Sequence, residues 1–199
     1  MIDETGRDDA VGAQAVDQDL RGLLRRATAD AHHRLDSGWA GHDLKDRDAY
    51  GAFLVAMAAA LVPLEADLAL AEPGALPPDW PARRRGAALL ADLAALGHPG
   101  PPAPAPAMPR PPTRPEAAGL LYVLEGSRLG GQLLLRQALA SADAAVRDNT
   151  RFLRHGEGQR LWSSFAAWLA ERPAGHADGA VTGALRAFAL FETAQGARP

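Results

Sequence analysis

The sequence predicts an all-α fold. Apolar residues recur at helical spacing along most of the chain, the helical segments end at glycine or proline, and no segment shows the sustained alternation of a β-strand. With 199 residues, 47% of them apolar and 23% charged, the chain suits one globular domain. We therefore expect a multi-helical single domain over residues 19–196, preceded by a mobile polar tail over residues 1–18.

Apolar periodicity and helix-ending residues give the helices in order. Gly38 is a stop signal for the first helix, Pro63 predicts a kink in the second, and Gly97 closes the third. The arginines that begin the third helix are expected to face solvent. Gly156 and Gly158 interrupt the fifth helix. The predicted helices span residues 20–37, 46–71, 83–96, 116–140, 146–170 and 180–194.

Composition and charge exclude several functions. The formal net charge is −3 and basic residues are scattered, so we expect no nucleic-acid partner and no membrane association. Without cysteine, the chain has no disulfide and no thiolate ligand or nucleophile, which leaves histidine and carboxylates as the strong metal ligands. The acidic N-terminus does not resemble a signal peptide, so a cytoplasmic location is expected. The proline-rich segment 98–115 predicts a stiff surface loop, or alternatively a ligand for a partner.

The first helix places a histidine at the edge of its apolar face. Taking Leu24 as zero and about 100° per residue, His32 lies at about 80° and His33 at about 180°. His32 therefore borders the core, while His33 points to water. Arg25 lies on the same side, two turns before His32. Such a pair could hold a metal group that carries acids, such as haem, and the alternative is a partly buried histidine beside a surface arginine.

The fourth helix contains glycines where a helix usually avoids them. Gly119, Gly126, Gly130 and Gly131 each cost about 1 kcal/mol relative to alanine, so something must compensate for them. Gly126 and Gly130 are one turn apart, where the missing side chains allow close approach. Either a planar group or another helix could use that face. The neighbouring pair Gly130 and Gly131 also favours a bend.

Both segments resemble one known family. The run Leu24-Arg25-Arg26-Ala27-Thr28 through His32, and the run from Tyr122 to Gln132, are similar to the proximal and distal motifs of the biliverdin-producing haem oxygenases. The resemblance is strongest to the bacterial type associated with phytochromes. It implies a haem oxygenase-like helical fold in which haem is sandwiched between a proximal helix and a kinked distal helix.

The resemblance also implies roles for particular residues. His32 would be the iron ligand, and the expected catalytic residues are Gly126, Gly130 and Ser127. Ser127 stands where mammalian members place an aspartate that orders distal water. The remaining haem-binding residues that it implies, besides the iron ligand and the two glycines, are Arg25, Tyr122, Arg154 and Arg160.

The implied reaction uses haem as both substrate and cofactor. Dioxygen and external electrons would convert haem to biliverdin, carbon monoxide and ferrous iron. A ferredoxin or a flavin reductase would supply the electrons, and a bacterial phytochrome could accept the product. Two alternatives remain at this point: a non-catalytic haem-binding protein of the same fold, and a helical interaction module that binds a partner through its proline-rich loop.

Overall fold

The computed structural model describes residues 19–39, 41–98 and 109–197, and all regular elements within them are helical. The all-α prediction is confirmed for this part of the chain. The predicted tail and most of the proline-rich segment 98–115 lie outside the described residues. The helices are α1 (Leu20–Ala27), α2 (Ala29–Trp39), α3 (Arg47–Ala69), α4 (Trp80–Arg83), α5 (Gly86–Ala95), α6 (Arg114–Leu139), α7 (Ala144–Asp148), α8 (Arg151–Arg154), α9 (Leu161–Ala170) and α10 (Ala177–Gly196), with a 3₁₀ turn at Ala174–His176 before α10.

Helix α3 lies at the centre of the fold. Asp46 begins it by accepting a hydrogen bond from the backbone N–H of Ala49 at 2.8 Å, and the helix continues through Pro63. Its length and composition would suit a membrane span, but 61% of its most apolar stretch is buried inside the protein, where it packs against α5, α6 and α10. Tyr50 fixes one end, because its hydroxyl donates to the carbonyl of Asn149 at 2.8 Å.

The long helices α6 and α10 pack against each other more extensively than any other pair. A Cβ atom added to Gly119 would lie 1.9 Å from the carbonyl oxygen of Ala180, and one added to Gly183 would lie 2.2 Å from the carbonyl oxygen of Glu116. Glycine is therefore required at both positions so that the two backbones can touch. Thr113 and Glu116 cap the start of α6 reciprocally, which fixes where the helix begins.

The first predicted helix is wrong in two respects. It is divided into α1 and α2 at Thr28, whose hydroxyl donates to the carbonyl of Leu24 at 2.8 Å. Gly38 does not end α2, which continues to Trp39. The reason is tertiary, because a Cβ atom on Gly38 would lie 2.2 Å from the side-chain oxygen of Gln195 in α10. Gly38 thus permits close packing between two helices.

The predicted exposure of the arginines in the third helix is also wrong. Arg83 and Arg85 are 2% and 5% exposed, and only Arg84 between them faces solvent. They lie around a break between α4 and α5, where carboxylates and carbonyls of other elements surround them. Two predicted glycine signals are confirmed: Gly97 follows α5 with φ of 78°, and the positive φ values of Gly156 and Gly158 separate α8 from α9.

Candidate functional site

The histidine predicted as a ligand is oriented by an acidic neighbour. His32 Nδ1 lies 2.9 Å from the carboxylate of Asp36, one helical turn later, and the His32 side chain is 64% exposed. A carboxylate only accepts hydrogen bonds, so Nδ1 carries a proton in this contact, and Nε2 is the ring nitrogen left to bind a metal. The His32 ring also packs edge-on against Phe188 of α10, with centroids 5.9 Å apart. His33 is exposed, as predicted.

The glycines of α6 divide into two kinds. Gly119 is pressed against α10. Among the described residues, a Cβ atom on Gly130 would meet nothing within 4 Å, and one on Gly126 would meet only the Trp162 ring, at 3.8 Å. Helix packing therefore explains Gly119 but not Gly126 or Gly130. The helix continues without a break through Gly130 and Gly131, and the bend there stays a prediction.

Apolar side chains accompany the open glycines. Leu129 and Leu133 are 56% and 54% exposed. At about 100° per residue they lie within roughly 60° of Gly126 on the helix surface, as does Gly130. An exposed apolar face beside glycines is typical of a surface that receives a ligand or a partner.

Tyr122 connects this face of α6 to the histidine-bearing segment. It shares a hydrogen bond with the side chain of Thr28, and burial raises the pKa of its phenol, partly offset by that hydrogen bond and by Arg21 and Arg25. Its ring lies 6.2 Å from that of Trp162 in α9. The guanidinium of Arg21 lies over this Trp162 ring, 5.5 Å from its centroid. Two cations and two aromatic rings thus border the glycine face.

The other predicted cations lie in the segment that leads into α9. Arg154 is held locally, because its Nε donates to Thr150 at 3.1 Å and its Nη1 to Glu157 at 3.0 Å. Arg160 is exposed and immediately precedes α9, two residues before Trp162. Within the described ranges, neither arginine contacts His32 or Arg25.

A buried charge network lies on the side of α6 away from the glycines. Glu125, 1% exposed, binds Arg83 at 2.8 Å and Arg128 at 3.1 Å. Arg83 also binds both carboxylate oxygens of Asp79, and Arg128 donates towards Nδ1 of His155 at 3.1 Å. Burial lowers the pKa of His155, and the nearby charges of Arg128 and Arg85 act in the same direction. The network anchors α6 to the chain around α4 and α9.

Ser127 is joined to the same interior. Its hydroxyl accepts a hydrogen bond from Arg85 and donates to the carbonyl of Leu124 at 2.7 Å. Arg85 donates to that carbonyl as well, at 2.8 Å, and its guanidinium lies over the Phe152 ring. Burial lowers the pKa of Arg85 to about 9, and the nearby charge of Arg128 acts in the same direction. Ser127 is thus held by a buried cation that the sequence analysis placed in solvent.

No family model matches the chain, but individual proteins do. A heme oxygenase of Xanthomonas campestris pv. campestris (strain 8004) is 39% identical over 127 residues, covering 60% of this chain and 73% of that protein. Heme oxygenase PigA of Pseudomonas aeruginosa is 34% identical over 168 residues, covering 81% and 83% respectively. The chain belongs to the haem oxygenase family. It is therefore an oxidoreductase enzyme, and its all-helical architecture agrees with the family.

The donor groups of this haem oxygenase family member fit haem. No group of three or more His, Asp or Glu side chains in the described residues could hold a metal ion by itself. One exposed histidine with a free Nε2 suits a metal that brings its own equatorial ligands. The open face at Gly126 and Gly130, bordered by Arg21 and Arg25, suits a flat apolar group with acidic substituents.

Three residues of the candidate site were not found by the sequence analysis. Asp36 could have been found, because it lies one turn after His32 on the same helix. For Arg21, the only signal in the sequence was its angular position on the first helix. Arg85 had none, since its contact with Ser127 joins parts of the chain 42 residues apart.

Proposed function

We propose that this protein cleaves haem oxidatively to biliverdin, carbon monoxide and ferrous iron, using dioxygen and external electrons. The observation that carries the proposal is the contrast within α6: Gly119 is packed against a helix, whereas Gly130 faces space that no described residue fills. Family membership supports the same activity, because both relatives carry the name heme oxygenase. Haem would supply the iron that activates dioxygen and the ring that is opened.

On the proximal side, His32 would hold the iron through Nε2. Asp36 fixes the ring orientation and increases the electron density on Nε2 by accepting a hydrogen bond from Nδ1–H. Phe188 packs against the imidazole and restricts its rotation. These contacts prepare the ligand before haem arrives, which lowers the entropic cost of binding.

On the distal side, Gly126 and Gly130 would let the ring approach the α6 backbone. Ser127 completes the proposed catalytic set by holding that turn of the helix. Its hydroxyl and the carbonyl of Leu124 share the Arg85 guanidinium, so the backbone beside the glycines is fixed from the interior. We infer that this rigidity positions the backbone groups that order water and pass protons.

The acidic edge of haem would meet the cations around Trp162. The charge of Arg25 acts on the Tyr122 hydroxyl, whose pKa it lowers. Arg160 is exposed and immediately precedes α9. Both are available to bind propionates. Arg154 would first have to leave Glu157, with which it forms an exposed pair.

The finer assignments rest on the sequence resemblance. We propose a ferredoxin or a flavin reductase as the electron donor and a bacterial phytochrome as a possible acceptor of biliverdin. A cytoplasmic location is part of the same proposal.

The test is an absorption spectrum of the full chain with one equivalent of haemin, before and after addition of ascorbate or a ferredoxin reducing system. His32→Ala is the test variant, and His33→Ala is the matched control on the adjacent exposed residue. We expect wild type and His33→Ala to give a Soret band and then a broad red band of biliverdin. His32→Ala should lose or alter the Soret band.

The other outcomes separate the alternatives. A stable Soret band without bleaching under reductant would indicate a non-catalytic haem-binding protein. Equal spectra for the two histidine variants would refute His32 as the ligand. No Soret shift in wild type would overturn haem binding altogether.

A further inference from the structure

Arg85 is a buried cation behind the part of α6 that carries the open glycines. The residue is 5% exposed, and its guanidinium lies 4.9 Å from the centroid of the Phe152 ring. Its Nη2 donates to the carbonyl of Leu124 at 2.8 Å and to the hydroxyl of Ser127. Both acceptors are neutral. Within the described part of the chain, no carboxylate forms an ion pair with this guanidinium.

Two carboxylates of this interior are bound to other arginines. Glu125 binds Arg83 at 2.8 Å and Arg128 at 3.1 Å. Asp79 binds Arg83 as well, at 2.6 Å. These contacts use both carboxylates in pairs that do not include Arg85.

Glu65 carries the third carboxylate near Arg85. It accepts the backbone N–H groups of Arg85 and Gly86 at 2.7 and 3.2 Å, rather than the Arg85 side chain. The guanidinium that pairs with it is that of Arg84, at 3.7 Å. Four arginines thus stand against three carboxylates in this group, and the arginine without an ion-pair partner is Arg85. One positive charge therefore remains uncompensated behind α6.

Ser127 connects this charge to the surface of α6 that we assign to haem. It directly follows Gly126 and is half-buried, and its hydroxyl proton is donated to the Leu124 carbonyl at 2.7 Å. Because the hydroxyl also accepts from Arg85, one lone pair is left for a group on its open side. A water molecule that donates one hydrogen there keeps its second hydrogen for an acceptor on the glycine face.

A buried charge acts strongly on a nearby site when little water lies between them. Two unit charges about 8–16 Å apart, at an effective dielectric constant of about 20, change a binding constant by about 5- to 30-fold. A cation favours an anionic ligand by such a factor, whereas a neutral ligand gains nothing from its net charge. The sign of the ligand's charge therefore separates an electrostatic role of Arg85 from a purely structural one.

We propose that Arg85 is a positioning residue that acts through Ser127 and makes the face at Gly126 and Gly130 favour anionic ligands over neutral ones. The inference rests on the proposed function, because the ligand would occupy the distal side of haem. External electrons add negative charge to a ligand on that side, and a fixed cation behind the helix stabilises such charge without reorganisation.

The test is the binding of azide and of imidazole to the ferric haem complex of the full chain, followed at the Soret band at about pH 7 in low salt. Azide is an anion, whereas imidazole binds iron as a neutral molecule. Arg85→Met removes the charge and the hydrogen bonds, and Arg85→Gln removes the charge but keeps a side-chain donor. We expect both variants to bind azide about 5- to 30-fold more weakly, and imidazole within about 2-fold of wild type.

Glu65→Gln tests the same charge effect with the opposite sign. It leaves Arg85 in place and removes a negative charge that acts on it, so azide affinity should rise by about 2- to 10-fold. Arg114→Met is the matched control, because it changes the net charge as Arg85→Met does. Arg114 is a half-exposed residue of the same helix, about 18 Å from Gly126. Its loss should leave both affinities at their wild-type values.

The outcomes separate this inference from the proposed function. An equal fall in azide and imidazole affinity in the Arg85 variants would refute the electrostatic role, as would unchanged azide affinity or an equal loss in Arg114→Met. If both Arg85 variants failed to fold, Glu65→Gln would decide alone, and azide affinity at or below the wild-type value would refute the proposal. Wild-type protein that did not bind haemin would overturn the proposed function and this inference with it.

Discussion

Replacing Gly130 by alanine should stabilise the protein and impair haem cleavage at the same time. Gly130 lies inside α6, and an added Cβ atom would meet no atom of the described part of the chain within 4 Å. Alanine is favoured over glycine in a helix interior by about 1 kcal/mol, so the free energy of unfolding should rise by that amount. For a protein of this size, Tm should increase by about 2–4 °C.

The same methyl group would project into the space that we assign to the haem ring. Overpacking of a closely fitted site typically costs about 1–3 kcal/mol. That range corresponds to roughly 5- to 150-fold in haem affinity or in the rate of biliverdin formation. The assays are thermal unfolding without haem, haemin titration at the Soret band, and biliverdin formation at fixed reductant.

Gly119→Ala is the control within the same helix. Its Cβ atom would lie 1.9 Å from the Ala180 carbonyl oxygen, and backbone atoms cannot rotate away. We expect a loss of at least about 1–3 kcal/mol in the free energy of unfolding. If Gly130→Ala also lowered Tm, the glycine would serve packing. If it left haem affinity and turnover at wild-type values, the glycine face would not be the haem site.

Three further changes test other contacts. Asp36→Ala should weaken haem affinity by about 10- to 100-fold in a haemin titration, because the ligand loses its orienting hydrogen bond. Glu125→Gln should lower the free energy of unfolding by about 1–3 kcal/mol in urea, since it removes one of the two carboxylates bound to buried Arg83 and leaves only Asp79, whereas Glu192→Gln, in a partly exposed pair with Arg34, should change it by less than about 1 kcal/mol. Arginine hydrogen bonding holds the pKa of Glu116 at about 2, so its stabilisation is present above the unfolded pKa near 4.5 and is lost as pH falls towards 2. Glu116→Gln should therefore cost about 1–2 kcal/mol at pH 7 and little at pH 2, and an equal cost at both would contradict this.

Most helices could be predicted because their signals are local. Apolar spacing indicated α3, α6 and α10, and their bounds are within a few residues of the prediction. Gly97 ended a helix as expected, because its positive φ is an intrinsic preference of glycine. Gly38 had the same local signal but serves a contact with α10, so the prediction failed there.

The sequence by itself determined the candidate site, because a motif keeps residue types at fixed spacing. His32, Gly126 and Gly130 were named from such motifs, and the structure separates Gly119, which packs, from Gly130, which does not. Their proposed roles stay predictions until the variants are measured.

Only the tertiary structure decided which charges are buried. Arg83 and Arg85 carry no local sign of burial, since arginine is usually found at the surface. They enter the interior because Glu125 and the carbonyl groups of α6 and α9 are brought to their guanidinium groups from 39 to 78 residues away along the chain. The helices thus follow from short-range periodicity in the sequence. The charge network behind α6 depends instead on pairing between distant parts of the chain, because a buried charge is stable only where the fold supplies its partners.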